Sequence, residues 1–306
     1  MANTKVVIKN IFSLTVAEAV SRILTFIYTL YLARILSPSG FGMIGFSKYV
    51  IAIFLIIAAL GLDSIGTREI AKDKSNIKPI VNNIFTIRLF SSLLVYFLLL
   101  FFIALMDFPI NEKIAIMIMG VNIFSNSLLL NWTFQGLQRM EVFAMRSIIV
   151  NVLNFCGIFL LIKNPGDTLI AIVIIVASSL INMLWLLFYY SHQYGKISLE
   201  FDLELWKKLL KSSTPILLSL AFVAIYDNIG MILLRLEKSN YEVGIFTAGY
   251  NILQVAMLAS TILQNVFFPI FPEKKTKPDR LKIVKNFSRL NFAVGTYVSL
   301  FIFVFA

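Results

Sequence analysis

The chain has 306 residues, of which 59% are hydrophobic and only 14% are charged, and its mean hydropathy is +0.86. Soluble globular domains carry about 25% charged residues, so this composition excludes that class and indicates a polytopic membrane protein. The formal net charge of +11 would suggest nucleic-acid binding in a soluble chain. In a membrane protein, basic residues in the loops between spans explain the positive net charge, and we expect no nucleic acid as a partner.

Long apolar stretches recur along the chain, and each is a predicted membrane-spanning helix. A span needs about 20 apolar residues, and we predict about nine such spans, all helical. They cover residues 11–36, 43–62, 83–106, 113–133, 143–163, 168–190, 214–236, 243–271 and 288–306. We expect the first span to act as the insertion signal, because the polar start leads directly into it.

The first helical hairpin, from Ser21 to Phe46, has a counterpart from Met231 to Tyr250. In both copies an apolar helix ends at an arginine, Arg34 or Arg235, and a short polar turn, a glycine and another apolar segment follow. This repetition predicts two helix bundles built on one plan. Both arginines are predicted to bind carbonyl groups at the C-terminal ends of their helices.

Basic residues concentrate in every second loop. The predicted cytoplasmic segments carry Lys5 and Lys9; Arg68, Lys72, Lys74 and Lys78; Arg139 and Arg146; Lys196, Lys207, Lys208 and Lys211; and Lys274, Lys275, Lys277, Arg280, Lys282 and Lys285. The loops between them are short and contain only Lys113, Lys163 and Lys238. The positive-inside rule therefore predicts a multi-pass protein of the cytoplasmic (inner) cell membrane with its N-terminus in the cytoplasm.

The longest break between spans, residues 196–213, is amphipathic. Its apolar face, which includes Trp206, predicts a short helix lying in the cytoplasmic interface, with an ordinary loop as the alternative. Thr214 and Pro215 would then cap and start the next helix. We therefore predict an N-terminal six-helix bundle over 1–195, a linker helix over 196–213 and a partial bundle of three helices over 214–306.

Two helix bundles around a central cavity are the predicted architecture, and the second bundle is incomplete. The ninth apolar stretch is still running at Ala306. We expect either a fragment of a longer protein or a chain whose ninth helix is its last.

Charged residues inside the predicted spans are candidates for function, because they are costly in lipid. Glu18 and Arg22 lie four residues apart on one helical face, and they would either line a charged cavity or form a structural ion pair. Arg88 and Lys48 could line the cavity or extend to the interface. Asp227 is a candidate site for cation or proton coupling, with a packing hydrogen bond as the alternative.

Uncharged polar residues cluster on the fourth span, where helical spacing brings several of them together. They would either bond between helices or line a watery groove for sugar hydroxyls, and this second interpretation makes Asn122 and Asn126 candidate substrate contacts. The cluster comprises Asn122, Ser125, Asn126 and Asn131.

Catalytic motifs of soluble enzymes do not occur in the sequence. His192 is the only histidine and Cys156 the only cysteine, so a histidine-dependent triad and a cysteine-based metal site are excluded. No GxxxxGK[ST] motif is present, so the chain is not itself a P-loop ATPase. We predict no enzymatic activity and no cofactor, and any energy must come from a gradient or a coupled process.

The chain resembles the polysaccharide biosynthesis flippases, which are Wzx-type lipid-linked oligosaccharide translocases in the superfamily that includes the MATE exporters. The resemblance covers nearly the whole chain. Four stretches carry it: LARILSPSGFGMIGF (Leu32 to Phe46), GLDSIGTREIAKDK (Gly61 to Lys74), NWTFQGLQRMEVFA (Asn131 to Ala144) and EVGIFTAGYNI (Glu242 to Ile252).

This resemblance implies twelve or more helices in two bundles that work by alternating access. It implies transfer of a sugar unit, carried on undecaprenyl diphosphate, from the cytoplasmic to the outer leaflet for surface polysaccharide assembly. The implied partners are the polyprenyl-diphosphate-linked oligosaccharide, the lipid bilayer and a glycan polymerase or glycosyltransferases. The predicted spans are fewer than the family has.

Physical chemistry agrees with an anionic, sugar-bearing substrate, because hydrocarbon solvates neither charge nor hydroxyl groups. We expect Arg22 and Arg88 to contact the diphosphate, Glu18 to hold Arg22 and Asp227 to couple an ion. These assignments depend on depth in the membrane and not on family motifs. The alternatives are a MATE-type cation-coupled drug or metabolite antiporter, which should favour acidic cavity residues, a membrane glycan polymerase, which usually has a large outward loop, and a structural scaffold.

Overall fold

The computed structural model describes residues 4–267, 285, 287–293, 295–297 and 299–300. For residues 4–19, 140, 143–144 and 255–267 it describes the backbone alone. These residues contain eleven numbered helices and no strand, which confirms the prediction of an all-α chain. The helices are α1 (Thr4–Ile35), α2 (Pro38–Ala59), α3 (Leu62–Lys72), α4 (Ile77–Leu105), α5 (Ile110–Gly120), α6 (Asn122–Ser127), α7 (Asn131–Gly136), α8 (Met140–Leu161), α9 (Thr168–Tyr194), α10 (Leu203–Glu237) and α11 (Asn240–Phe267).

Among the described residues, five helical stretches are long and apolar enough to cross a membrane, and Met145–Leu161 is a shorter apolar helix. This confirms a polytopic membrane protein. The predicted ninth span lies partly outside the described residues. The five stretches are Pro38–Ala59, Lys74–Leu105, Ile110–Gly136, Thr168–Tyr194 and Leu203–Glu237.

The chain divides into two compact units, Met1–Thr247 and Ala248–Ala306. Every contact described below lies in the first unit. In the second unit the described residues are helical. The predicted bundle boundaries at residues 195 and 214 stay predictions.

The start and end of α2 follow from local chemistry. Ser37 caps the helix by accepting a hydrogen bond from the Gly40 amide at 3.1 Å, and Pro38 occupies the first turn, where its missing N–H costs nothing. At the other end Leu60 and Gly61 both adopt the left-handed conformation, with φ of 55° and 66°. The chain therefore turns sharply into α3, and a Cβ on Gly61 would lie 2.9 Å from the Leu217 amide of α10.

The fourth predicted span is broken into α5, α6 and α7, which differs from the single helix expected. Asn122 and its neighbours bond locally to the backbone: the Asn126 amide donates to the Asn122 carbonyl at 3.0 Å and the Ser125 hydroxyl donates to it at 3.3 Å. Side-chain bonds of this kind compete with regular helical geometry. The break places the end of α6 beside α4.

The predicted interfacial helix and the seventh span form one continuous helix, α10, so the expected cap at Thr214 is wrong. Asp202 is the actual N-cap, and its carboxylate accepts from the Leu205 amide at 3.0 Å. Thr214 instead donates its hydroxyl to the Leu210 carbonyl at 2.7 Å, inside the helix. Pro215 lies within α10, where it lacks the amide that would otherwise bond to the Lys211 carbonyl.

The segment before α10 is held on α4 by three buried polar residues that the sequence analysis did not single out. Asn82 and Asn83 donate to the two carboxylate oxygens of Glu200 at 2.6 and 3.1 Å. Thr86 accepts from the Glu200 amide at 3.0 Å. Asn83 also accepts from the indole N–H of Trp206 at 2.8 Å. These bonds fix the segment before α10 and the first turn of α10 to α4, and the predicted membrane depth of Trp206 stays a prediction.

Candidate functional site

Two clusters of charged residues are built into the first unit. We name the Arg88 cluster for Asp63, Arg88 and Trp132 with the carbonyl groups of Ala59 and Ser127. We name the Glu112 cluster for Glu112, Arg235 and Asn240 with the rings of Phe46 and Phe108. They differ in how far they are shielded from the surroundings and in which helices they join.

Arg88 is 1% exposed, and its guanidinium lies where α2 and α6 end. It donates to the carbonyl groups of Ala59 and Ser127, the last residues of those helices, at 3.4 and 3.1 Å. Carbonyl groups at helix ends have no intrahelical donor, so a cation there is favourable. Arg88 thereby holds the helix ends of α2 and α6 together.

One side of the Arg88 cluster reaches the surface. Asp63, whose side chain is 55% exposed, forms an ion pair with Arg88 at 2.8 Å. The guanidinium also lies 6.0 Å from the Trp132 ring centre, within the range of a cation–π contact. The predicted contact of Arg88 with an anion stays a prediction, and any anion must compete with Asp63 for this group.

The Glu112 cluster is more deeply buried, and the sequence analysis did not single out Glu112. Glu112 is 0% exposed, and its two carboxylate oxygens accept from Arg235 at 2.8 and 2.6 Å. A third donor, the Asn240 amide, reaches it at 3.0 Å. Such a bidentate, fully hydrogen-bonded pair is the arrangement in which a buried ion pair is tolerated.

Arg235 is enclosed by aromatic rings and by its own helix end. Its guanidinium lies 5.4 Å from the Phe108 ring centre and 6.0 Å from that of Phe46. It also donates to the Lys238 carbonyl at 3.1 Å, which confirms the predicted bond to a carbonyl group at the end of its helix. The Glu112 cluster thus ties α5 to the turn between α10 and α11.

The first turns of α2 and α11 meet beside the Glu112 cluster through two glycines. A Cβ on Gly42 would lie under 3.0 Å from the Asn240 carbonyl, and one on Gly244 would lie under 3.0 Å from the Pro38 carbonyl. Only glycine permits such a close approach of two backbones. Gly42 and Gly244 follow the turns of the repeated segments, so the two copies contact each other directly.

The remaining predicted site residues lie on several helices. Arg22 is exposed on α1, and the Glu18 side chain lies outside the described residues. Asn122 is buried and its amide lies 3.3 Å from the Met119 sulfur, whereas Asn126 is exposed on α6. Asp227 is exposed on α10 and makes no hydrogen bond or ion pair within the described part of the chain.

The structure therefore joins only some of the predicted residues. Arg88 contacts the end of α6, the helix that carries Asn122 and Asn126. Arg22 belongs to α1, which packs chiefly against α8 through polar pairs such as Thr25 with Asn151 at 2.7 Å. The roles assigned to all of these side chains stay predictions.

A cavity of about 250 Å³ lies between α3, the start of α4 and α10. Its lining includes Arg68, Glu69 and Lys208. Glu69 accepts from Lys72 at 2.9 Å and Arg68 at 3.2 Å, and the bond from Lys72 is the main reason that its pKa is lowered. The lining therefore carries two basic side chains, Arg68 and Lys208, against the single carboxylate of Glu69.

Comparison with known proteins gives a consistent result. Residues 7–275 match the family described as "Polysaccharide biosynthesis protein". A "Putative O-antigen transporter" of Shigella dysenteriae is 24% identical over 267 residues, 86% of this chain and 66% of the relative. Its Escherichia coli K12 namesake is 24% identical over 250 residues, 80% of this chain and 60% of the relative. The chain thus spans less than two thirds of the length of these relatives.

Solved structures share the fold at low identity. An inward-facing multidrug resistance MATE family transporter of the MOP superfamily has a TM-score of 0.64 and 13% identity, over 93% of this chain and 69% of that one. The outward-facing conformation of such a transporter has a TM-score of 0.58 and 16% identity, over 97% and 71%. A MOP superfamily transporter from Pyrococcus furiosus has a TM-score of 0.55 and 15% identity, over 96% and 70%.

Proposed function

The chain belongs to the polysaccharide biosynthesis protein family, and from this we propose that it takes part in moving a lipid-linked oligosaccharide across the membrane. The family match over residues 7–275 is the observation that carries the proposal, and the relatives named as O-antigen transporters support a saccharide cargo. The cargo is a polyprenyl-diphosphate-linked unit that passes from the cytoplasmic to the outer leaflet. The protein acts as a transporter and not as an enzyme. The comparisons do not favour a MATE-type drug or metabolite antiporter.

Alternating access is the mechanism that we propose for this transfer. The Glu112 cluster and the Gly42–Gly244 contact hold the two copies of the repeated segment together at one end of α2 and α10. If the copies belong to bundles that rock against each other, this end opens when the bundles separate. The ion pair and the close backbone contact would then form and break once per transport cycle.

The orientation that we propose places the N-terminus and the basic loops in the cytoplasm. A reporter enzyme that is active only in the periplasm should be active when fused after Asn164, in the turn between α8 and α9, and inactive when fused after Lys74, between α3 and α4. Lys74 lies in the basic loop and Asn164 in a loop with a single lysine. Activity only at Lys74 would reverse the orientation.

Arg22 and Arg88 bind the diphosphate in this proposal, Glu18 holds Arg22, Asn122 and Asn126 bind sugar hydroxyls, and Asp227 couples an ion. We expect Arg22→Ala or Arg88→Ala in the full-length protein to lower surface glycan export by roughly ten- to a hundredfold. A hydrogen bond to a charged group contributes about 1.5–3 kcal/mol, and each 1.4 kcal/mol is a factor of ten.

Export is measured as lipid-linked oligosaccharide in the outer leaflet, at matched protein level. Arg68→Ala is the control, because Arg68 is an exposed arginine on α3 outside the predicted spans. Arg88→Lys keeps the charge but not the guanidinium, so it separates the helix-end contacts of Arg88 from its charge. Unchanged export in both alanine variants would exclude the arginines as the anion contacts.

A further inference from the structure

The segment that joins α9 to α10 has one polar side and one apolar side. We name residues 198–203 the connector, and the chain has neither helix nor turn over residues 195–202. As in an extended chain, its side chains alternate between two sides. The side chains of Ser198 and Glu200 bond to α4. The residues between and after them are large, apolar and exposed: Leu199 by 53%, Phe201 by 59% and Leu203 by 72%.

The polar side holds the connector against α4 through buried groups. Asn82 and Asn83, which are 0% and 1% exposed, both donate to the carboxylate of Glu200. The backbone amides of Ser198 and Asp202 donate to the side-chain oxygens of the same two asparagines at 3.3 and 3.0 Å. Turning the apolar side chains inward would break these bonds and leave buried amides without partners, which is costly. The orientation of the connector is therefore fixed.

The connector lies beside the part of α4 that matches the edge of the hydrocarbon core. The Glu200 amide donates to the Thr86 hydroxyl at 3.0 Å. From Thr86 to Leu105, the last residue of α4, the helix rises about 28 Å at about 1.5 Å per residue. The hydrocarbon core is about 30 Å thick. With Leu105 at one edge of the hydrocarbon, Thr86 and the connector lie at the other.

The apolar side of the connector continues an exposed apolar face of α4. The Phe201 ring lies 5.9 Å from the Phe90 ring, centre to centre. Every exposed residue of α4 from Phe90 onwards is apolar. They include Phe90, Leu94, Phe97, Phe101 and Leu105, which the helical repeat places on one face. Because a spanning helix with a wholly apolar face suits acyl chains rather than a watery cavity, this face meets lipid.

We propose that the apolar side of the connector is inserted into the bilayer, between the headgroups and the acyl chains, and anchors the joint between α9 and α10. Its polar groups bond to α4, so mainly apolar side chains are presented to the lipid, as in other interfacial segments. An extended connector thus takes the place that the sequence analysis gave to a helix. The inference is independent of the transported cargo and holds for either orientation in the membrane.

Spin labels measure the depth of the connector in the bilayer. Leu199→Cys, Phe201→Cys and Leu203→Cys are made singly in the full-length protein with Cys156→Ser, labelled with a nitroxide and reconstituted into phosphatidylethanolamine–phosphatidylglycerol vesicles. Oxygen concentrates in hydrocarbon and a nickel chelate stays in water, so the ratio of their collision rates with the label reports depth. We expect all three ratios to be several-fold above that of a label in water and to approach that of a label in lipid.

Two matched positions calibrate the scale. Phe97→Cys is the lipid reference, because Phe97 is 66% exposed on the apolar face of α4. Lys74→Cys is the water reference, because Lys74 is an exposed lysine between α3 and α4. Connector ratios equal to that of Lys74→Cys overturn the proposal, since the segment is then in water. Immobile labels that neither reagent reaches also overturn it, since protein and not lipid then covers this surface.

The polar side is tested by Glu200→Ala combined with the Phe201→Cys label. Asn82 and Asn83 lose their shared acceptor, so we expect a more mobile label and a lower depth ratio. Glu204→Ala is the control, because Glu204 is an exposed glutamate in the first turn of α10, and it should change neither quantity. An unchanged label in Glu200→Ala would mean that the polar side does not orient the connector. Melting temperatures identify variants that fail to fold, and the three-label scan decides the proposal without them.

Discussion

Replacing Glu112 with alanine is expected to lower the free energy of unfolding by about 3–5 kcal/mol, the cost of removing one partner from a buried ion pair. The change leaves the Arg235 guanidinium between two aromatic rings without its carboxylate, although its bond to the Lys238 carbonyl remains. Asn240 loses its acceptor as well. Thermal unfolding in detergent, followed by a fluorescent thiol probe at Cys156 or by circular dichroism, measures the loss.

Two further variants separate the ion pair from other effects of the substitution. Glu141→Ala removes the carboxylate of an exposed pair with Arg139, and we expect it to cost less than about 1 kcal/mol. The double variant Glu112→Met with Arg235→Met replaces both charges with apolar groups and should recover much of the stability, because no charge is left unpaired. A Glu112→Ala protein that unfolds at the wild-type temperature would contradict the importance of this pair.

A Gly42→Ala substitution is expected to have the second large effect, because the added methyl group has no space. Its Cβ would lie under 3.0 Å from the Asn240 carbonyl, a backbone atom that cannot rotate away. Overpacking of this kind costs about 1–3 kcal/mol or more, and here it also separates the first turns of α2 and α11. We expect lower stability and at least a tenfold loss of surface glycan export, since about 1.4 kcal/mol against the closed arrangement shifts its population tenfold.

Gly230→Ala is the matched control for this experiment. Gly230 also lies within a helix, α10, but a Cβ there would meet nothing within 4 Å. The control should unfold at the wild-type temperature or slightly above it, because alanine is the better helix former by about 1 kcal/mol. Gly244→Ala should repeat the effect of Gly42→Ala. Wild-type export by both Gly42→Ala and Gly244→Ala would mean that the close contact is not needed for transport.

The helices themselves were largely predictable. The second predicted span, 43–62, corresponds to Pro38–Ala59, and the sixth, 168–190, corresponds to Thr168–Tyr194. In hydrocarbon the backbone amide and carbonyl groups have no water to bond to. An apolar stretch of about 20 residues therefore forms a helix, which pairs these groups within the segment itself. The ends were less predictable, because capping residues such as Ser37 lie outside the apolar stretch.

Local departures from this pattern were not predictable from apolar length. The fourth span is interrupted at Val121 and again after Ser127, whereas α10 runs through Pro215 without interruption. Hydropathy averaged over a stretch of residues does not record where a helix is interrupted within it.

The candidate site, like the helices, was predictable from the sequence only in part. Arg235 was predicted at a helix end with carbonyl groups as partners, and it has one. Its main partner, Glu112, is 123 residues away in sequence and lies one residue before the predicted fourth span, where a charge needs no special explanation. Asn82 and Asn83 were missed because their hydrogen-bond partner, Glu200, is also distant in sequence.

The sequence by itself determined that this is an all-helical membrane protein, where most spans lie and which family it resembles. Those properties depend on composition and on order along the chain, because the bilayer imposes one solution on each apolar segment. Only the tertiary structure decided which charges are neutralised, as in Glu112 with Arg235, and which have no partner among the described residues, as at Asp227. The physical reason is the short range of these interactions. Hydrogen bonds and desolvation act over a few ångströms, so the free energy of a charged group depends on neighbours that only folding brings close to it.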